Sequence, residues 1–237
     1  MRAMILAAGR GERMRPLTDI RPKPLIQAGD KALISWNIEK LVQAGICDII
    51  INHAWLGQQI VDYLGNGHAY GATLHYSAEN PALETAGGIA QALPFFEDQP
   101  FLVINADIWT DWDACQAFDM AAQLMPQDLA SLLLVPNPEH HPEGDFGVQS
   151  DSAYLCPKDR PNSSAYTLSG IGVYKPELFA SIPAKQSAKS ATLLHQAIAQ
   201  SRIKGFIHPG YWIDVGTVER LHQLEQHLES KQGSRYT

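Results

Sequence analysis

Short runs of aliphatic and β-branched residues recur along the chain, each followed by a stretch whose apolar positions repeat at helical spacing. Ala3–Ala7, Asp48–Asn52, Phe101–Ala106 and Ala130–Pro136 are continuous apolar runs, the pattern of strands buried on both faces. Leu33–Ala44, Leu56–Leu64, Gly88–Leu93 and Asp113–Leu124 carry the helical period and predict the covering helices. Strands alternating with helices predict a mostly parallel sheet, so the first half reads as a doubly wound α/β unit. After residue 136 the pattern loosens. Loops are expected at Pro136–Pro142 and Cys156–Ala165, and mixed or antiparallel strands at Phe146–Gln149, Ala153–Leu155, Tyr166–Tyr174 and Ile203–Ile207. Helices are predicted at Pro176–Ser181, Ala191–Gln200 and Thr217–Ser230, the last presenting Leu221, Leu224 and Leu228 to the sheet. No linker or internal repeat divides the chain, so one domain is expected, with residues 1–136 and 137–237 as its halves.

At 237 residues the chain can bury a sizeable core without disulfides or a structural metal. Its three cysteines, Cys47, Cys115 and Cys156, are odd in number and lack C-x-x-C spacing, which reads as free thiols in a reducing cytoplasm. The longest apolar stretch near the start, Ala3–Ala8, is too short for a signal-peptide core, and no run is long enough to span a membrane. A net charge of −7 argues against nucleic acid as principal partner. The charge is uneven, however: residues 1–24 hold six Arg or Lys against two acids. A basic island in an acidic protein points to a small anionic ligand.

That island surrounds a glycine-rich turn directly after the first strand, Leu6-Ala-Ala-Gly9-Arg-Gly11-Glu-Arg13-Met-Arg15-Pro16. Gly9 and Gly11 let backbone N–H groups approach phosphate oxygens, and the arginines add charge. A dinucleotide-binding turn would need glycine where Met14 stands and an acid at the second strand's end, where the chain has Asn52-His53. A Walker A loop would need Gly-Lys-Ser/Thr, which is absent. Lys23 follows in Arg21-Pro-Lys23-Pro24, where the flanking prolines favour a stiff extended segment. Taken singly, the two glycines favour a plain structural turn with solvated arginines, and Lys23 a solvated lysine in a proline-rich turn.

Together, the turn, Thr18 and Pro22-Lys23-Pro24 resemble the N-terminal signature of the sugar-1-phosphate nucleotidyltransferases. The resemblance implies a Rossmann-like first half and a mixed-sheet sugar-binding half, with no β-helix tail. It implies that Leu6, Ala8, Gly9, Gly11, Glu12, Arg13 and Lys23 bind the nucleotide. Arg13 would stabilise leaving pyrophosphate, and Lys23 would hold phosphate at the reacting centre.

Asp107 ends the third predicted strand, and Asp214 lies in Trp212-Ile-Asp214-Val-Gly216-Thr217 before the last helix. Either could cap a helix. The resemblance implies instead that both hold one Mg²⁺, a hard cation taking carboxylate, phosphate and water oxygens. The family's usual Gly-Asp is Ala106-Asp107 here.

Glu79, in Glu79-Asn-Pro-Ala-Leu83-Glu84-Thr85-Ala86-Gly87-Gly88, is placed either as a nucleobase reader or as a solvated loop residue. Gly87 would start the helix beside the nucleotide. On the sugar side, the resemblance assigns Asp145, Gly147 and Gly170, with Asn105 a further sugar ligand. Counting back from Gly170 assigns Lys158 to the sugar phosphate. Relatives carry a glutamate where this chain has Pro157, which suggests an acceptor with its own carboxylate.

The implied reaction is uridylyl transfer from UTP to N-acetylmuramate 1-phosphate, a sugar phosphate of cell-wall recycling. Guanylyl transfer to mannose 1-phosphate, or a non-catalytic module sensing nucleotide sugars, stays open. The expected partners are these small molecules alone, with oligomeric state undetermined. The nine histidines show no metal spacing, His140 and His141 pointing apart and His222 and His227 being five positions apart. His53, Trp55 and Trp212 could line the sugar pocket or the core.

Overall fold

The computed structural model describes residues 1–233. Its strands are β1 (Ala3–Leu6), β2 (Gln27–Ala28), β3 (Lys31–Ala32), β4 (Asp48–His53), β5 (Thr73–Ala78), β6 (Phe101–Asn105), β7 (Ile108–Thr110), β8 (Ala130–Val135), β9 (Phe146–Val148), β10 (Cys156–Pro157), β11 (Ser164–Tyr174), β12 (Ile203–Ile207) and β13 (Trp212–Asp214). The helices are α1 (Leu17–Ile20), α2 (Leu33–Gln43), α3 (Gly57–Leu64), α4 (Glu84–Ala92), α5 (Gln116–Ala122), α6 (Ser190–Ala199) and α7 (Val218–Gly233).

Nine strands form one mixed sheet, in which β5, β4, β1 and β6 are parallel neighbours. β11 runs antiparallel between β6 and β8, and β12 returns parallel to β8. The long β11 also carries β9, and through it β10, on its first residues. Alternation sends each strand's side chains to two layers. Ile5, Ile49, Ile51 and Ile104 pack with Ile34, Ile38 and Leu41 of α2. Met4, Ile50, Val103 and Leu134 pack on the other face with Ile89 of α4 and Leu194 of α6. The doubly wound, mostly parallel α/β unit predicted from periodicity for the first half is the observed one, Rossmann-like as the resemblance implies, and the second half extends it into a mixed sheet.

Several elements differ from expectation. β5 was not predicted, because Thr-Leu-His-Tyr-Ser-Ala is an edge strand whose half-exposed positions leave no apolar run. Ala153–Leu155 makes only an isolated bridge, Tyr154 with Lys204. Pro176–Ser181 shortens to a single 3₁₀ turn at Pro176–Leu178, and α4 starts four residues before Gly88. Leu221, Leu224 and Leu228 pack against Trp109 and Ile213 of the β7–β13 ribbon and Val215 just after it, rather than the main sheet. The three cysteines are unbridged. No helix among the described residues is long and apolar enough to cross a membrane.

Candidate active site

β1 lies between β4 and β6, with Leu6 level with Asn52 on one side and Asn105 on the other. Strand order reverses there, the place where open α/β sheets leave a crevice beyond the carboxyl ends. The crevice is a cleft of about 400 Å³ lined by Leu6, Ala8, Gly9, Lys23, Glu79, Asn105 and Asp107. Arg10, Asn52, Glu84 and Thr85 line it too.

The turn's shape depends on Gly11, which stands at φ 68°; a Cβ there would come within 3.0 Å of Thr18 and 3.1 Å of Lys23. Thr18 Oγ1 donates to the Gly11 carbonyl at 2.8 Å, folding the loop back on itself. The Arg10 guanidinium stacks over the Trp55 ring at 3.9 Å and donates to the Thr18 carbonyl at 2.8 Å. Trp55 Nε1 donates to the same carbonyl at 3.0 Å. Trp55 therefore pins the glycine-rich loop from outside the cleft. Gly11 and Glu12 do not line the cleft; Glu12 is exposed in a 3₁₀ turn over Glu12–Met14.

Glu79 is neither a solvated loop residue nor a carboxylate with its oxygens free. It is 5 % exposed. Oε1 accepts from Asn52 Nδ2 at 2.7 Å, and Oε2 accepts the Leu83 N–H at 2.7 Å. Asn52 Oδ1 in turn accepts the Ala7 N–H at 2.8 Å, so one buried network ties the ends of β1 and β4 to the start of α4. Gly87 does not line the cleft: its N–H bonds the Ala188 carbonyl at 3.2 Å, and a side chain there would overlap the Gln186 carbonyl. His53 packs against Tyr76, and burial lowers its pKa, keeping the imidazole neutral near pH 7.

A second cavity, about 440 Å³, opens on the other side of Asn105 and Asp107 and shares both residues with the first. Arg13, Asp145, Gly170, Trp212 and Asp214 line it. Antiparallel pairing of β7 with β13 sets Asp214 opposite Ile108, and the Val215 N–H donates to the Asp107 carbonyl at 2.8 Å. That ribbon brings the two distant aspartates to one cavity. Asp107 pairs with the ammonium of Lys23, which is buried. Asp214 Oδ1 accepts from Arg220 Nη1 at 3.0 Å and lies 3.0 Å from His140 Nε2.

Arg13 lines this second cavity together with Asp214, because the 3₁₀ turn after Gly11 swings it away from the first cleft. Gly170, at φ 76°, sits in the β11 bulge; a Cβ there would stand 2.6 Å from Asn105 Nδ2. Asp145 Oδ2 accepts the Leu168 N–H at 2.8 Å, and Oδ1 lies 3.1 Å from His141 Nε2. The adjacent histidines do point apart, each toward a different aspartate, and both line the second cavity while staying open to solvent on one side.

Gly147 and Lys158 line neither cavity. A Cβ at Gly147 would meet the Pro157 carbonyl at 2.7 Å, so that glycine serves the β9–β10 pairing. Lys158 is exposed and donates to the Gly144 carbonyl at 3.2 Å. Pro157 is exposed on β10 and also outside the cavity, which removes the sequence argument that a glutamate there would repel an acidic sugar. Sequence reasoning missed Asn52, Arg220, His140 and His141. Asn52 was findable, as a polar residue ending an apolar strand. His140 carries no local signal, since it reaches Asp214 across the fold, while Arg220 and His141 lie six and four positions from their carboxylates, a nearness that sequence alone does not turn into a contact.

A family model described as nucleotidyl transferase matches residues 2–231. The chain is 52% identical over 227 residues to N-acetylmuramate alpha-1-phosphate uridylyltransferase of Neisseria meningitidis serogroup B, covering 95% of this chain and 97% of that one. It is 31% identical to the protein of the same name from Caulobacter vibrioides, covering 95% and 96%. Mannose-1-phosphate guanyltransferase of Yarrowia lipolytica is 28% identical, with 91% of this chain matching 61% of that protein. Among solved structures, a candidate glucose-1-phosphate thymidylyltransferase from Bacillus anthracis, crystallised with sucrose, superposes with a TM-score of 0.84 at 22% identity, covering 96% of this chain and 94% of that one.

Proposed function

Since the chain belongs to the nucleotidyl transferase family, we propose that it transfers the uridylyl group of UTP to N-acetylmuramate α-1-phosphate, releasing pyrophosphate and UDP-N-acetylmuramate. The coarser activity, sugar-1-phosphate nucleotidyl transfer, goes with the family. The particular substrate pair rests on the 52% identity to the Neisseria relative, which extends over 97% of that protein. The observation that carries the reading is the junction of two cavities at Asn105 and Asp107. A triphosphate in one and a sugar phosphate in the other would meet at a single carboxylate.

The donor set supports a divalent metal. Asp107 and Asp214 offer hard oxygens to the same cavity, and the described residues hold no cluster of three or more His, Cys, Asp or Glu that could cage an ion. Two carboxylates completed by phosphate and water oxygens suit Mg²⁺. When bound, Mg²⁺ would neutralise phosphate charge at the reacting centre. An acceptor phosphate oxygen attacks the α-phosphorus in line, a P–O bond forms, and the bond to the β-phosphate oxygen breaks, the electron pair leaving with pyrophosphate. No proton need move, because a phosphate monoester is largely ionised at neutral pH. The protein's part is placement and charge. Lys23 stands at the junction with its ammonium on Asp107, ready to exchange that carboxylate for a phosphate oxygen, and Arg13 faces the same centre.

Pyrophosphate release, measured for each nucleoside triphosphate against a panel of sugar 1-phosphates, tests the proposal. Highest kcat/KM for UTP with N-acetylmuramate 1-phosphate is expected. A preference for GTP with mannose 1-phosphate would replace the substrate pair, and silence across the panel with Mg²⁺ present would refute catalysis.

A related prediction concerns the loop that Trp55 pins. Trp55→Ala removes the ring under Arg10 and one donor to Thr18. A cation–π contact of about 1–2 kcal/mol converts to a rise of roughly 5- to 30-fold in KM for the triphosphate, with kcat little changed. An unchanged KM would show that Arg10 does not hold phosphate.

A further inference from the structure

Arg220, in the first turn of α7, is 7 % exposed and its Nε has no hydrogen-bond partner among the described residues. A buried guanidinium with one donor unmet is costly to keep, so its contacts deserve a functional explanation. Nη1 donates to Asp214 Oδ1 at 3.0 Å, and His140 approaches the same oxygen. Both contacts fall on Oδ1, leaving Oδ2 without a hydrogen-bond partner among the described residues. The other carboxylate at the junction has the complementary arrangement, with Lys23 on Asp107 Oδ2. Gly216 makes room for this. A Cβ there would overlap Arg220 Nη2 and come within 3.0 Å of Arg13 Nη2, so the two guanidinium groups meet across that glycine.

We propose that Arg220 is a positioning residue of the reacting centre: by engaging Oδ1 from behind Gly216, it turns Asp214 so that Oδ2 alone is presented to the divalent cation. The inference rests on the metal reading given under the proposed function. A carboxylate on a β-strand end could otherwise rotate about its side-chain torsions, binding the ion through either oxygen or both. The planar fork of arginine, held rigid by burial, removes that freedom before the ion arrives. Arg220 lines neither cavity, so it acts through Asp214 and not on substrate.

The test is a titration of Mn²⁺ into the folded protein, with and without a UTP analogue carrying a methylene between the α- and β-phosphates, followed by electron paramagnetic resonance. For Arg220→Met the expected result is Mn²⁺ affinity in the nucleotide complex lowered by about 10- to 100-fold, while metal-free binding of the analogue is unchanged and kcat falls more than KM for UTP rises. A merely structural role would lower the melting temperature and leave the Mn²⁺ affinity of the folded fraction alone. Gly216→Ala is the second variant, because it displaces the guanidinium while keeping its charge, and the same loss of Mn²⁺ affinity is expected. It decides the matter where Arg220→Met does not fold. Wild-type Mn²⁺ affinity in these variants, with affinity lost in Asp214→Ala, would overturn the positioning role and leave the metal reading standing. Unchanged Mn²⁺ affinity in Asp214→Ala would instead overturn the metal reading itself.

Discussion

Asp107→Ala is expected to lower the turnover of pyrophosphate release roughly a hundred- to a thousandfold, the scale seen when a preorganised charge-stabilising group is removed from a reacting centre. Asp107 is one of two residues shared by both cavities, and it ends the loop directly after β6. Its backbone is held by the β7–β13 ribbon, so the loss of the side chain leaves the geometry of the junction in place. Nucleotide binding should move in the other direction. The Lys23 ammonium, now without its carboxylate, is free for phosphate oxygens, so metal-free nucleotide affinity is expected to hold or rise. Stability should fall, because Lys23 is only 8 % exposed and loses its ion-pair partner. Asp107 is itself part-exposed, so solvent can reach the site, and the cost is about 1–3 kcal/mol rather than that of a fully buried broken pair. Stopped-time pyrophosphate assays and urea unfolding measure the two effects. Turnover within tenfold of wild type would remove Asp107 from the reacting centre.

Glu79→Gln, an exchange of nearly equal shape, is expected to be strongly destabilising. The position demands two acceptors, one for Asn52 Nδ2 and one for the Leu83 N–H. Glutamine supplies one acceptor and sets a donor against the other partner. Rotating Asn52 does not cure the mismatch, since its Oδ1 already accepts from the Ala7 N–H and would be replaced there by another donor. With the network buried, one unmet pair costs about 1–3 kcal/mol, and Glu79→Ala should cost more, since it strands both donors. Loosening the network also moves Asn52 and the start of α4, where Glu84 and Thr85 line the first cleft, so on the proposed function KM for the triphosphate should rise together with the loss of stability. A denaturation midpoint equal to wild type for Glu79→Gln would show that the carboxylate is not holding this loop.

Legibility followed the range of the interactions. The strands that were read correctly as continuous apolar runs, Ala3–Leu6, Asp48–His53, Phe101–Asn105 and Ala130–Val135, are buried on both faces or nearly so, and burial leaves such a run. The edge strand Thr73–Ala78 lacked that mark because water reaches one side of it. In the site, the glycine turn and Lys23 were visible since a turn of this kind is built from neighbours in sequence. Gly87, Gly147 and Lys158 stood in motif-like positions, yet close contacts with Gln186, Pro157 and Gly144 account for them.

The chain alone determined its α/β periodicity, the basic island around Gly9 and Gly11, and the presence of two aspartates in strand-end contexts, because these depend on spacing and on the conformational needs of single residues. Tertiary structure decided that β7 and β13 pair, that Asp107 and Asp214 open onto one cavity, and that Glu79 is held on both oxygens. It also put Arg220 and His140 on one oxygen of Asp214. Most of those contacts join residues far apart along the chain, and even the near ones, Glu79 with Leu83 and Asp214 with Arg220, depend on side-chain directions that packing in three dimensions sets and that leave no periodic trace in the order of amino acids.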